Sequence, residues 1–164
     1  MWWLLLACGG DPTLDTGSTG DSEGAGTDTG DSDSGSGLPG ADVVGVSVSG
    51  SEGDWTFAVT LLSDDVDCSH YADWWEVVDQ DGELAYRRVL NHSHADEQPF
   101  TRDGGSVAIS GEETVWVRGH QNDRGYVGAV MTGSVQAGFV EGSWPSGLGE
   151  GLEEQEPLPE DCWW

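Results

Sequence analysis

His92 and His94 stand one residue apart, and Glu97 follows three residues later. Alternate side chains of an extended strand point the same way, so a His-x-His pair can offer two imidazoles to one metal ion. If the strand that opens at Glu83 continues to His94, then Leu84, Tyr86, Arg88, Leu90, His92 and His94 share one face. His120 ends the run TVWVRGH, whose polar face would carry Thr114, Trp116, Arg118 and His120. Should the two faces meet, His92, His94, His120 and Glu97 supply three nitrogens and a carboxylate, a set suited to a divalent Zn, Cu or Fe ion. A purely structural reading of the same stretch stands ahead of it. Its polar residues satisfy backbone groups at a strand end and turn, Pro99 holds Gln98 extended, and Glu97 or Asp96 pairs with Arg102 or Arg88. Ser93 lacks the strand-to-helix elbow of a hydrolase nucleophile, so no catalytic residue is assigned. A metalloenzyme remains the alternative to a binding module, and it requires a bound ion with an open position.

The elements that must position these residues are strands. From Asp42 onward the apolar residues recur with period two, and turn residues interrupt them at short intervals. VVGVSVSG and DWTFAVTLLS read as a hairpin around Gly50 to Gly53; ADWWEVVD and ELAYRRVL read as a second, with Asp81 and Gly82 in the turn. GSVAIS, ETVWVRGH and GSVQAGFVEG bring the total to about seven strands. Such a series predicts an all-β fold, an antiparallel β-sandwich of immunoglobulin or fibronectin type, with a small jelly roll or barrel as the alternative. The alternation places Val44, Val46, Trp55, Phe57, Val59, Trp75, Val77, Val115, Val117, Val135 and Phe139 in the core. It puts Trp74, Trp116 and Arg118 on an outer face, where exposed aromatic rings could bind a glycan or peptide.

Composition narrows the partners. The 164 residues carry 31 acids against five arginines and no lysine, a formal charge of −26. Phosphate backbones and anionic lipid surfaces need a basic face, so neither nucleic-acid binding nor electrostatic membrane association is expected. A lipid anchor is the one membrane contact left, and a surface glycan, a protein or a metal ion are the partners that fit. Residues 9–41 are almost all Gly, Ser, Thr and Asp, which predicts a disordered tether. A domain over 42–145 then precedes an acidic tail, 146–164. The pair Cys68 and Cys162 predicts a disulfide that pins this tail and closes a loop of roughly 95 residues, with Trp163 and Trp164 docked beside it.

Residues 1–8, MWWLLLAC, resemble the end of a lipoprotein signal, with Leu5, Leu6, Ala7 and Cys8 as the lipobox. The run is short and lacks a basic start, which places the true start codon upstream. The resemblance implies lipidation of Cys8, and Gly9 after it implies a bacterial outer-membrane or cell-surface location, with a secreted or periplasmic protein as the alternative. YADWWEV and HSHADEQPFTR resemble motifs of an uncharacterised family of bacterial exported and lipid-anchored proteins, over about Val43 to Phe139. That resemblance implies a location and no activity. The order His92, His94, Glu97 and Gly104 is also similar to the first cupin motif, although the upstream Gly and the second motif's Pro-x-Gly-x-x-His are missing.

Overall fold

A computed structural model of the chain describes residues 40–163; the signal-like segment with Cys8, the tether up to residue 39, and Trp164 lie outside the described residues. Eight strands follow in order: β1 (Asp42–Ser51), β2 (Asp54–Leu62), β3 (Ala72–Val78), β4 (Leu84–Val89), β5 (Phe100–Val107), β6 (Val115–Gln121), β7 (Val130–Ser134) and β8 (Gly138–Gly142). They form two antiparallel sheets, β1-β2-β5 and β4-β3-β6-β7-β8, that face each other as a sandwich. The chain crosses between the sheets after β2, β4 and β5, as in immunoglobulin- and fibronectin-like sandwiches, and neither sheet closes into a barrel.

The inner faces hold the expected residues with one exception. Phe57, Val59, Trp75, Val77, Val115 and Val117 are fully buried, and Val46, Trp55, Val135 and Phe139 pack against them. Val44 instead points to solvent, because pairing with β2 skips from Val43↔Leu61 to Gly45↔Thr60. That bulge leaves Val44 unpaired and turns Val43 inward in its place. Ala41, on the tether side of the expected boundary, is also fully buried. At Gly104 the two sheets approach closely, since a Cβ there would lie 2.5 Å from a ring carbon of Tyr86 and 2.9 Å from Trp75.

Two strand assignments shift. GSVQAGFVEG is not one strand: its turn, closed by Ala137 N–H donating to Ser134 Oγ at 3.2 Å, joins β7 to β8. The strand expected over GSVAIS starts earlier, at Phe100, where Phe100 pairs with Leu61 of β2.

Cys68 and Cys162 form the expected disulfide, with Cα atoms 5.6 Å apart. Between β8 and this bridge the chain runs back over the outer face of the five-stranded sheet as a strap, residues 143–163, carrying a short 3-10 helix, η1 (Leu152–Glu154). Leu152 is buried against that face. The carbonyls of Leu152, Gln155 and Pro157 all accept hydrogen bonds from the Arg87 guanidinium on β4.

Candidate functional site

Strand β4 ends at Val89, so it never carries His92 and His94 onto a sheet face. Residues 90–97 form a corner pinned from below by hydrogen bonds. Leu90 N–H donates to Asp73 O (2.8 Å), and His94 N–H donates to Asp65 Oδ2 (2.8 Å). The other Asp65 oxygen accepts from Ser63 Oγ (2.6 Å) and Ala72 N–H (2.9 Å), which ties the corner to the start of β3. Gln98 bridges from the other side, its Nε2 donating to His94 O (3.2 Å) and its Oε1 accepting from Ser63 N–H (2.9 Å).

This scaffold brings His92, His94 and Glu97 together: one candidate ligand atom from each lies within 4.8 Å of the other two. Metal–ligand bonds of about 2.0–2.2 Å put the donors of a tetrahedral site roughly 3.5 Å apart, so closure on an ion needs a movement of about 1 Å. His92 is exposed and the Glu97 side chain is 50% exposed, so both can move.

His94 is the fixed member. It is 2% exposed, its ring stacks on Phe100 at 3.8 Å and 7°, and neither ring nitrogen has a hydrogen-bond partner. Asp65 Oδ2 is 3.9 Å from Nδ1 and Glu97 Oε1 is 3.7 Å from Nε2, contacts too long for hydrogen bonds. Burial, followed by the charges of Arg102 and His92, lowers the His94 pKa to about 4. The ring is therefore neutral at pH 7 and needs to lose no proton before it can coordinate. Ser93 Oγ, beside it, is likewise buried without a partner. The pairing of Glu97 with Arg102 that the structural reading expects is also present. A cleft of about 600 Å³ opens over His92, His94 and Glu97, walled by residues 92–97, Val66 and Trp163. Two imidazoles and one carboxylate would leave a four-coordinate metal with one open position.

His120 does not join them. Nδ1 pairs with Asp73 Oδ1 at 2.6 Å, Nε2 faces Glu153 Oε1 of the strap at 3.3 Å, and the ring stacks on Trp74 at 3.5 Å. The expected convergence depended on β4 extending to His94. With β4 ending five residues earlier, His120 lies on the outer face of β6 over a separate cleft shared with Asp73, Tyr71 and the strap. Burial raises the pKa of Asp73, with the His120 bond acting against it.

The expected aromatic surface is corrected as well. Trp74, Trp116 and Arg118 do share the outer face, as the register Trp74↔His120, Glu76↔Arg118 and Val78↔Trp116 requires. They are not a free surface: Trp74, 4% exposed, lies under Arg87 and against His120, Arg118 is buried against Trp144 of the strap, and Trp116 is half-buried. Glu76, with no exposed surface, accepts from Arg87 through Oε2 and from Arg118 through Oε1, both at 2.8 Å to the Nε atoms. Arg118 Nη2 has no well-aligned hydrogen bond, yet it lies 2.8 Å from Glu76 Oε1 and is paired by charge. The Arg118 guanidinium is also sandwiched between the rings of Tyr126 (3.5 Å) and Trp144 (3.7 Å). Burial, with the Glu76 charge adding to it, pushes the Tyr126 hydroxyl up to about 12.

Trp163 was not among the expected site residues. Its signal in the sequence was adjacency to Cys162, whose bridge carries it to the cleft, where its N–H donates to Asn91 O at 2.7 Å.

No protein-family profile and no solved structure matches the chain. A protein of Halomicrobium mukohataei named "Putative lipoprotein" is 40% identical over 82 residues, which make up 50% of this chain and 40% of that protein. The chain thus covers well under two thirds of that relative's length. Among the described residues, no helix is long and apolar enough to cross a membrane.

Proposed function

We propose that this is an exported, lipid-anchored protein of the cell surface or outer membrane whose β-sandwich binds one transition-metal ion, Zn, Cu or Fe, through His92, His94 and Glu97. One observation carries the metal reading: a buried, neutral histidine with both ring nitrogens unpaired has candidate ligand atoms of a second histidine and a carboxylate within 4.8 Å. Leaving such atoms unpaired costs about 1–3 kcal/mol each, a cost that coordination would remove at Nε2. The LLAC segment ending at Cys8 and the name of the Halomicrobium relative support the anchor. The site acts in binding; it has no assigned general acid or nucleophile.

Metal analysis of the purified full chain after incubation with Zn, Cu and Fe salts and removal of free ion tests the proposal. The expected result is one ion per chain, lost in His92→Ala and His94→Ala and retained in His120→Ala. Metal content that is absent from the wild type, or that follows His120 instead, would refute it.

A further inference from the structure

Trp163 is 60% exposed, so its ring gains little from burial. Its backbone is nevertheless held twice, by the Cys68–Cys162 bridge at the preceding residue and by its own hydrogen bond to Asn91 O at 2.7 Å. Asn91 adjoins His92, so these ties fix Trp163 as a wall of the cleft over the ligand cluster. Val66, 63% exposed and two residues from Cys68, is a second apolar wall. A large aromatic residue anchored and left bare beside open coordination positions suits a ligand better than a core, and its anchoring reduces the ordering cost of binding. The cleft, about 600 Å³, falls in the size range of small-molecule sites. Charge narrows the ligand further. The ion and Arg102, which pairs with Glu97 at the cleft, favour a negatively charged oxygen donor, and a single one, since Asp65, Asp96 and Glu97 already offset the positive charge there.

We propose that the metal-loaded cleft takes a small aromatic monoanion, which donates an oxygen to the open position of the ion and lays its ring against Trp163. This rests on the metal-binding reading above and adds the ligand class to it. Ring stacking of the usual strength separates an aromatic from an aliphatic carboxylate by about five-fold in affinity.

The test uses the full chain loaded with Co(II), whose visible absorption reports changes in coordination, titrated with benzoate and with acetate. Benzoate is expected to bind about five-fold tighter than acetate. Trp163→Leu should bring the two together, Trp163→Phe should keep most of the preference, and all three proteins should hold one Co(II). A wild-type chain that binds Co(II) but does not distinguish benzoate from acetate, or a preference that survives in Trp163→Leu, would overturn the ligand proposal alone. Failure to bind Co(II) would overturn the metal reading and this proposal together.

Discussion

The outer face of the five-stranded sheet and the corner at residues 90–99 are built from the same kinds of side chain, and they finish differently. Under the strap, Glu76 holds two arginines, Asp73 holds His120, and Arg87 caps three strap carbonyls. At the corner, Ser93 Oγ and both ring nitrogens of His94 are buried with no partner, beside an open cleft. Polar groups that close on one another specify a structure, whereas buried groups left open mark a place where something else is expected to bind. The difference separates two histidines that the sequence alone would group together: His120 belongs to the closed set and His94 to the open one.

The largest effects should divide along that line. Glu76→Ala leaves two buried guanidinium groups without their shared carboxylate, and a loss of about 3–5 kcal/mol is expected in urea unfolding, with metal content of the folded protein unchanged. His94→Leu should do the reverse. It removes two unpaired buried nitrogens, so stability should stay within about 1 kcal/mol of the wild type or rise, while metal binding disappears. Equal destabilisation by the two changes would break the comparison.

Acid and base should act with opposite sign on His94 and on His70, which lies in the loop between β2 and β3 and pairs with Asp123 and Asp64. His94 has a lowered pKa, so its contribution to stability is complete above pH 6.5 and is lost as pH falls toward 4, where the unfolded chain takes up a proton that the folded one resists. The His70 pKa is raised, chiefly by its bond to Asp123 and against the effect of burial, with Asp64 adding to the rise. Its contribution is complete below pH 6.5 and is lost as pH climbs through the raised value. Imidazole titrations by NMR on the metal-free chain should show His70 titrating above 6.5 and His94 neutral down to about 4.

The smallest effect expected is an increase. Arg102→Gln releases Glu97 from its exposed ion pair, so metal affinity measured by competition with a chelating dye should rise by up to about five-fold, the equivalent of the ~1 kcal/mol that such a pair is worth. A weaker affinity would contradict Glu97 as a ligand.

Much of the sandwich was legible because its inner faces follow period two closely, as Trp75 and Val77 or Val115 and Val117 show. Val44 misled because a bulge changes the phase of an alternating strand without changing its composition. The start of β5 was hidden in the polar run FTRDGG, which pairs with β2 through its backbone. The strap was the larger omission. Its Glu, Gly and Pro content reads as a solvated tail, while the residues that dock it, Trp144, Leu148 and Leu152, are few and spaced four apart. Covering by the strap is a long-range event, which is why the face of Trp74 and Arg118 could be assigned from alternation and their burial could not. The corner cluster was legible where its members are neighbours in sequence. His120 was assigned to it through an assumption about where β4 ends.

The most direct test is to follow the ring nitrogens of all four histidines by NMR as Zn(II) is added to the full chain. Large shifts confined to His92 and His94 at one equivalent, with His70 and His120 unmoved, are the predicted result. Shifts at His120, or no shift at His94, would contradict it.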